Sequence, residues 1–306
     1  MILLTKYTLL YTVVLMLVAL GGMFSERSGI INIALEGIMV IGGLAGILAI
    51  QMMPKDAGLL MVVGGSIAAA ALAGIVYSTL LAFASINLNA DQTIGGTALN
   101  MLATALAIVI AKGVNGSASP KLEYNNRMFI YEVGPLTANA FLYVGIAILL
   151  LSFFVLYKTR LGLRLRACGE HPQAADSVGI NVYKMRYIGV LISGALGGIG
   201  GMAYIIPSVS SWNFEVGVSG AGFLALAVMI FGQWKPFRIF FAAVFFALFK
   251  SLANIASSIP MMAALGWTQN MYNMIPFIAS MIILAFTSKK SRAPKAEGVP
   301  YDKGSR

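Results

Sequence analysis

The chain is poor in groups that ionise, ligate metals or form cross-links. Charged residues are 10% of 306 positions, against roughly 25% in a soluble domain, too few to clothe a water-facing surface of this size. The single cysteine, Cys168, excludes an internal disulfide and any Cys-x-x-Cys pair. The single histidine, His171, leaves a zinc site of the usual kind short of ligands. No G-x-x-x-x-G-K-[ST] phosphate loop occurs, so ATP binding by that route is not expected in this chain. These shortages exclude a cytosolic enzyme, a secreted disulfide module and a disordered scaffold, and no cofactor is expected in the chain itself.

What is present is hydrocarbon: 59% hydrophobic residues and a mean hydropathy of +0.85. A helix rising ~1.5 Å per residue needs about 20 residues to cross a ~30 Å hydrocarbon core. Runs of that kind cover residues 7–24, 30–50, 59–83, 94–112, 136–157, 185–206, 217–231, 237–254 and 271–286. They do not alternate as barrel strands would. The expectation is an all-α polytopic membrane protein of about nine spans, with eight to ten as bounds and 217–231 short enough to be partly broken. Residues 7–24 are preceded by Lys6 alone, not a convincing basic flank, and lack a small-residue cleavage site, so they read as the first span rather than a signal peptide.

The formal net charge of +10 is first a topology signal. With the C-terminus in the cytoplasm and the N-terminus outside, the cytoplasmic side collects Arg27, Lys158, Arg160, Arg164, Arg166, Lys184, Arg186, Lys235, Arg238 and the basic residues of the tail, Lys289, Lys290 and Arg306 among them. Only Lys6, Lys55, Lys112, Lys121, Arg127 and Lys250 fall outside. The membrane domain is 1–287, with an extracytoplasmic loop at 113–135 and a charged cytoplasmic loop at 159–184. Residues 288–306 read as a flexible basic tail beside the headgroups. Topology explains the lysines and arginines, so no nucleic-acid partner is inferred.

Polar groups inside the spans are costly and therefore informative. Asn32 and Glu36 stand at i and i+4 and would share a face of a continuous helix. They are either a structural clamp, with Arg27, or a lining or gating element of a pathway. Asp91 reads as an N-cap. Thr97, Asn100 and Thr104 follow as a neutral polar stripe that suits an uncharged polar solute or ordinary helix contacts. Glycine-rich interrupted segments in the two halves, 28–43 and 217–231, run in opposite directions and suggest an inverted repeat. In the loop, Glu170, His171, Pro172, Gln173, Ala174, Ala175, Asp176 and Ser177 form a short helix with proline in its first turn, ended by Gly179. Its small residues suit a docking knob. Catalysis by Glu170 and His171 is not supported, because adjacent residues do not share a helix face and no nucleophile accompanies them.

The segments GGMFSERSGIINIALEGIMVIGG, DQTIGGTALNMLA, TRLGLRLRACGEHPQAADSVGI and GFLALAVMIFGQWKP together resemble permease subunits of ABC importers in the branched-chain amino-acid and ribose permease superfamily. The likeness is to the branch linked to nucleosides and basic-membrane-protein-type lipoproteins, and it covers about residues 20–286. It implies a type II importer-like fold, a coupling helix near residues 170–179 that docks on a cytoplasmic ATPase, and ATP and Mg held by that ATPase. It further implies a second permease subunit, an extracytoplasmic substrate-binding lipoprotein, and residence in the cell membrane. The rival readings are an ion-coupled secondary transporter, in which Glu36 would carry the proton, and an ABC permease for a sugar or amino acid.

Overall fold

The computed structural model describes all residues except 1, 55, 117–118, 134–135, 257–258, 260–261, 263–264, 288–291 and 304–306. Lys55, Lys289, Lys290 and Arg306 of the charge pattern, and the end of the 113–135 loop, thus lie outside the described residues. The helices are α1 (Ile2–Arg27), α2 (Leu35–Met52), α3 (Leu59–Ile86), α4 (Gln92–Asn115), α5 (Ala140–Lys158), α6 (Arg160–Glu170), α7 (Pro172–Ser177), α8 (Val182–Ile205), α9 (Ala221–Phe231), α10 (Pro236–Ile255) and α11 (Gln269–Thr287). Among the described residues, α1 to α5, α8 and α10 provide 7 helices long and apolar enough to cross a membrane. α9 has 11 residues, about 16 Å at 1.5 Å per residue, half a hydrocarbon core. α11 has 19 residues and contains Pro276.

Several expected boundaries move, each for a local reason. Helix α2 starts at Leu35 rather than near residue 30, because Gly29 is left-handed (φ +100) and breaks the chain. Residues 217–220 are turn rather than helix, with Gly217, Ser219 and Gly220 at positive φ. The run 136–157 begins as strand, and α5 starts only at Ala140, where the Asn139 side chain accepts the Leu142 N–H at 3.0 Å. The all-helical expectation fails here: β1 (Lys121–Glu123) pairs antiparallel with β4 (Ser211–Asn213), and β2 (Ile130–Val133) with β3 (Leu136–Asn139). These ladders belong to the loops, where backbone groups emerging from the spans still need partners.

Helix α1 is the hub, buried at every position from Leu10 to Glu26 and packed against α5, α8, α9 and α10. Helix α8 lays its glycine face on α2 and α3. A Cβ on Gly201 would run into the Met39 carbonyl, and one on Gly198 into the Ala70 carbonyl. Close backbone approach is what small residues permit between spans. Outside this core, α3 and α4 expose Leu72, Val76, Met101 and Val109, a surface suited to lipid and costly in water.

The tail is not free. Residues 292–303 fold back under α6 and α8: the Ala296 N–H donates to the Gly169 carbonyl at 2.8 Å, and Arg186 Nη2 to the Val299 carbonyl at 3.0 Å. The expected flexible tail is corrected on this stretch. Its backbone finds buried partners and Tyr301 is 4% exposed.

Candidate functional site

The site is built where two helices are interrupted. At the end of α1, Ser25 Oγ donates to the Ile30 carbonyl at 2.7 Å and Ser28 Oγ to the Ser25 carbonyl at 2.6 Å, so hydroxyls occupy carbonyls that a continuous helix would use. Residues 28–34 are non-helical. Their exposed backbone is served from α4: Gln92 Oε1 accepts the Ile31 N–H at 2.7 Å. Asn100 Oδ1 accepts the Gly37 N–H at 2.7 Å while its Nδ2 donates to the Ile33 carbonyl at 2.9 Å. Asn32 is fully buried and donates to Ser193 Oγ on α8 at 2.8 Å.

Asn32 and Glu36 therefore do not share a helix face, since Asn32 precedes the helix. Arg27 is not their partner either. It pairs with Glu170 at 3.5 Å and donates to the Trp234 carbonyl at 3.3 Å. Glu36 instead reaches the second interruption. Its Oε1 accepts the Gly220 N–H at 2.7 Å and its Oε2 the Gly222 N–H at 2.6 Å. A carboxylate on free N–H groups at a helix start is favoured by both hydrogen bonding and the helix dipole. Gly222 makes room, because a Cβ there would sit 2.6 Å from Glu36 Cα. α2 and α9 thus meet with their N-termini at one carboxylate.

Lys250 on α10 is buried within the helix body and carries a charge opposite to that of Glu36, acting on it through space rather than by a direct ion pair. The charge pattern counts Lys250 with the outer side. The signal was available: a lone lysine in FFALFKSLAN is an intramembrane charge, which marks a functional position by default. Of the α4 stripe, Asn100 joins Glu36 at the start of α2. Thr97 and Thr104 do not, for their hydroxyls donate to carbonyls of α4 itself, Thr93 and Asn100.

The cytoplasmic loop makes a second feature. α6 is followed by α7, with Pro172 in its first turn and Gly179 left-handed (φ +82) after it. Glu170 ends α6 rather than starting the short helix, and His171 is the exposed joint between the two. Gln173, Ala174 and Ser177 face outward and Asp176 is half-buried. Ala175 does not, since it packs with Cys168, Val182, Met185 and Tyr301, so only one alanine is offered to a partner. Burial pushes the Cys168 thiol up to about 11, leaving it a packing residue.

The α9–α10 elbow adds a third. Gln233 and Trp234 are consecutive left-handed residues (φ +54 and +52). Trp234 is buried, and its Nε1 donates to Glu26 Oε2. Pro236 starts α10, as expected of proline in a first turn.

Residues 4–285 match the family described as branched-chain amino acid transport system / permease component. The chain belongs to that family. Similar proteins include the guanosine ABC transporter permease protein NupQ of Bacillus subtilis, 41% identical over 98% of this chain and 96% of its own. The nucleoside ABC transporter permease protein NupC of Lactococcus lactis is 39% identical over 96% and 95%. The putative glucose ABC transporter permease protein TsgC13 of Haloferax volcanii is 30% identical over 78% and 73%. This permease is a multi-pass protein of the plasma membrane and a transport subunit rather than an enzyme.

Proposed function

We propose that this permease forms half of the pathway of an ATP-driven nucleoside importer. The observation that carries the reading is the near full-length likeness, at 41% and 39% identity, to permeases named for guanosine and nucleosides. ATP and Mg bind a separate ATPase, since the chain has no phosphate loop. That ATPase grips α7 on its outward residues Gln173, Ala174 and Ser177, flanked by His171, Asp176 and Gly179. A substrate-binding lipoprotein delivers solute from outside. A sister permease supplies the other half, in keeping with a partial likeness, 27% over 55% of this chain, to the second Lactococcus lactis nucleoside permease, NupB.

The N-terminus lies outside and the C-terminus in the cytoplasm, with α9 and α11 completing nine passes. α9 crosses together with the turn before it, and α2 and α9 are corresponding elements of an inverted repeat. Glu36, Asn100 and Asn32 hold the junction between these elements, beside the solute route, while Thr97 and Thr104 face along it from α4. Glu36 engages two N–H groups, which favours a fixed structural charge over the free proton carrier an ion-coupled transporter needs.

The test is uptake of labelled guanosine into proteoliposomes holding both permeases and the ATPase, with the lipoprotein added. ATP-dependent uptake, competed by other nucleosides and not by glucose, is expected. Uptake on an ion gradient without ATPase, or competition by glucose alone, would overturn the reading. In the same system Ala174→Trp, at an exposed site, is expected to leave membrane insertion intact and to lower guanosine moved per ATP hydrolysed by about tenfold, a common size for coupling between sites. Labelling of single cysteines at Lys121 and Lys295 in intact cells checks orientation, with only the first expected to react.

A further inference from the structure

Residues 294–301 touch three separate parts of the chain within eight positions. The Ala296 N–H binds the Gly169 carbonyl at the end of α6, and two residues on the Gly298 N–H binds the Gly29 carbonyl at 3.1 Å, inside the α1–α2 interruption. The Val299 carbonyl then accepts from Arg186 on α8, a side chain 1% exposed. Tyr301 ends the run with its ring edge-on to Tyr183 at 5.4 Å between centroids, and its carbonyl accepts the Tyr183 hydroxyl at 3.4 Å. The Tyr301 ring also closes the cluster that holds Ala175, the inward face of α7.

The fit is specific at Gly298. Its φ of +75 disfavours other residues, and a Cβ there would come 2.8 Å from Ile31 Cδ1. The stretch is therefore shaped to lie against the interruption. Residues 295–298 are folded into turns closed by the Glu297 N–H on the Pro294 carbonyl and the Val299 N–H on the Ala296 carbonyl, so a compact segment hydrogen-bonded at Gly29 and anchored at Tyr301 couples those two points.

We propose that residues 294–301 are a strap that ties α7 to the α1–α2 interruption, delivering movement of the short helix to the loop that Asn100 and Glu36 brace. The proposal rests on the reading of α7 as the ATPase contact. It adds a route through the tail, which runs alongside α8 and is held to it at Tyr183 and Arg186.

Glu297 gives the strap a second readout. Its carboxyl lies beside that of Glu26, and two buried carboxylates side by side repel. Burial holds the Glu297 carboxyl above the usual carboxylate range, while its contact with Glu26 and the Arg27 charge pull it back. The other groups around the pair are the Trp234 indole, which donates to Glu26, and Glu170, which pairs with Arg27. The seated strap thus binds a proton more tightly than the released one. Seating is strongest below the ordinary carboxylate value and weakens as pH rises through the raised one.

The experiment uses the complete reconstituted importer with Gly298→Val, Tyr301→Ala and Glu297→Gln in this chain, alongside removal of residues 292–306. In the first two variants and the truncation, the ATPase is expected to stay bound and to hydrolyse ATP, while uptake per ATP falls about tenfold, within the usual range of coupling energies. Trypsin cleavage after Lys295 in the complex is expected to speed up in Gly298→Val and Tyr301→Ala. Glu297→Gln, able to donate without a titrating proton, is expected to flatten the pH dependence of that cleavage. Unchanged uptake per ATP in Gly298→Val and Tyr301→Ala, with cleavage accelerated, would overturn the strap. So would loss of ATPase binding in those variants, which would make the tail a docking element. If the wild-type importer shows no ATP-dependent uptake, the importer reading fails. The cleavage rates then still report whether the tail is held at Gly298 and Tyr301, and equal rates in all variants would overturn the strap by themselves.

Discussion

The two interruptions differ in how their backbone is satisfied. The first, at residues 28–34, is served by neutral side chains from neighbouring helices: Gln92 and Asn100 of α4, and Ser193 of α8 through Asn32. The second, at the start of α9, is served by a carboxylate that belongs to the first, Glu36 of α2. Neutral amides both donate and accept, so Asn100 can hold a carbonyl and an N–H together. A carboxylate only accepts, and it suits a helix N-terminus where nothing but donors is on offer. One interruption is thus propped by its surroundings, and the other is propped by the first. Movement at residues 28–34 therefore reaches α9 directly, whereas movement at α9 does not remove the α4 braces.

The comparison breaks most readily at Glu36. Glu36→Ala leaves two N–H groups without their acceptor and is expected to lower stability by roughly 3 kcal/mol, read as an earlier melting transition in detergent, and to abolish uptake. If uptake survives, the second interruption does not depend on the first. Asn100→Ala is expected to have a smaller effect, about 2 kcal/mol, because Gln92 and Asn32 still hold the loop. An Asn100 variant that melts earlier than the Glu36 variant would reverse the order argued here. Asp91→Ala provides the scale at the surface. Its carboxylate caps α4 by accepting from Thr93 and Ile94 at 2.8 and 2.9 Å in an exposed setting, and its loss is expected to cost about 1 kcal/mol with uptake retained.

The spans were legible because hydrocarbon thickness dictates apolar length, and the α7 turn because proline and glycine punctuate it. The interruptions were legible only as glycine-rich stretches. Asn32 and Glu36 looked like one helix face because spacing alone assumes continuity, while Ser25, Ser28 and Gly29 end the helix through hydroxyl bonds and a left-handed φ. The Glu36 partners were hidden for another reason: they are backbone N–H groups 184 and 186 residues away, which no side-chain pattern announces. The tail misled by composition. Proline, glycine and charge usually mean disorder, yet here they fit a groove whose shape is set by Ile31, Arg186 and Tyr183.

The elbow between α9 and α10 carries a consequence of its own. Two successive left-handed residues that are not glycine hold roughly 1–2 kcal/mol of backbone tension each, and the end of α1 offsets it from two sides, Glu26 gripping the Trp234 indole and Arg27 the Trp234 carbonyl, so that the last residues of one span set the bend between two others.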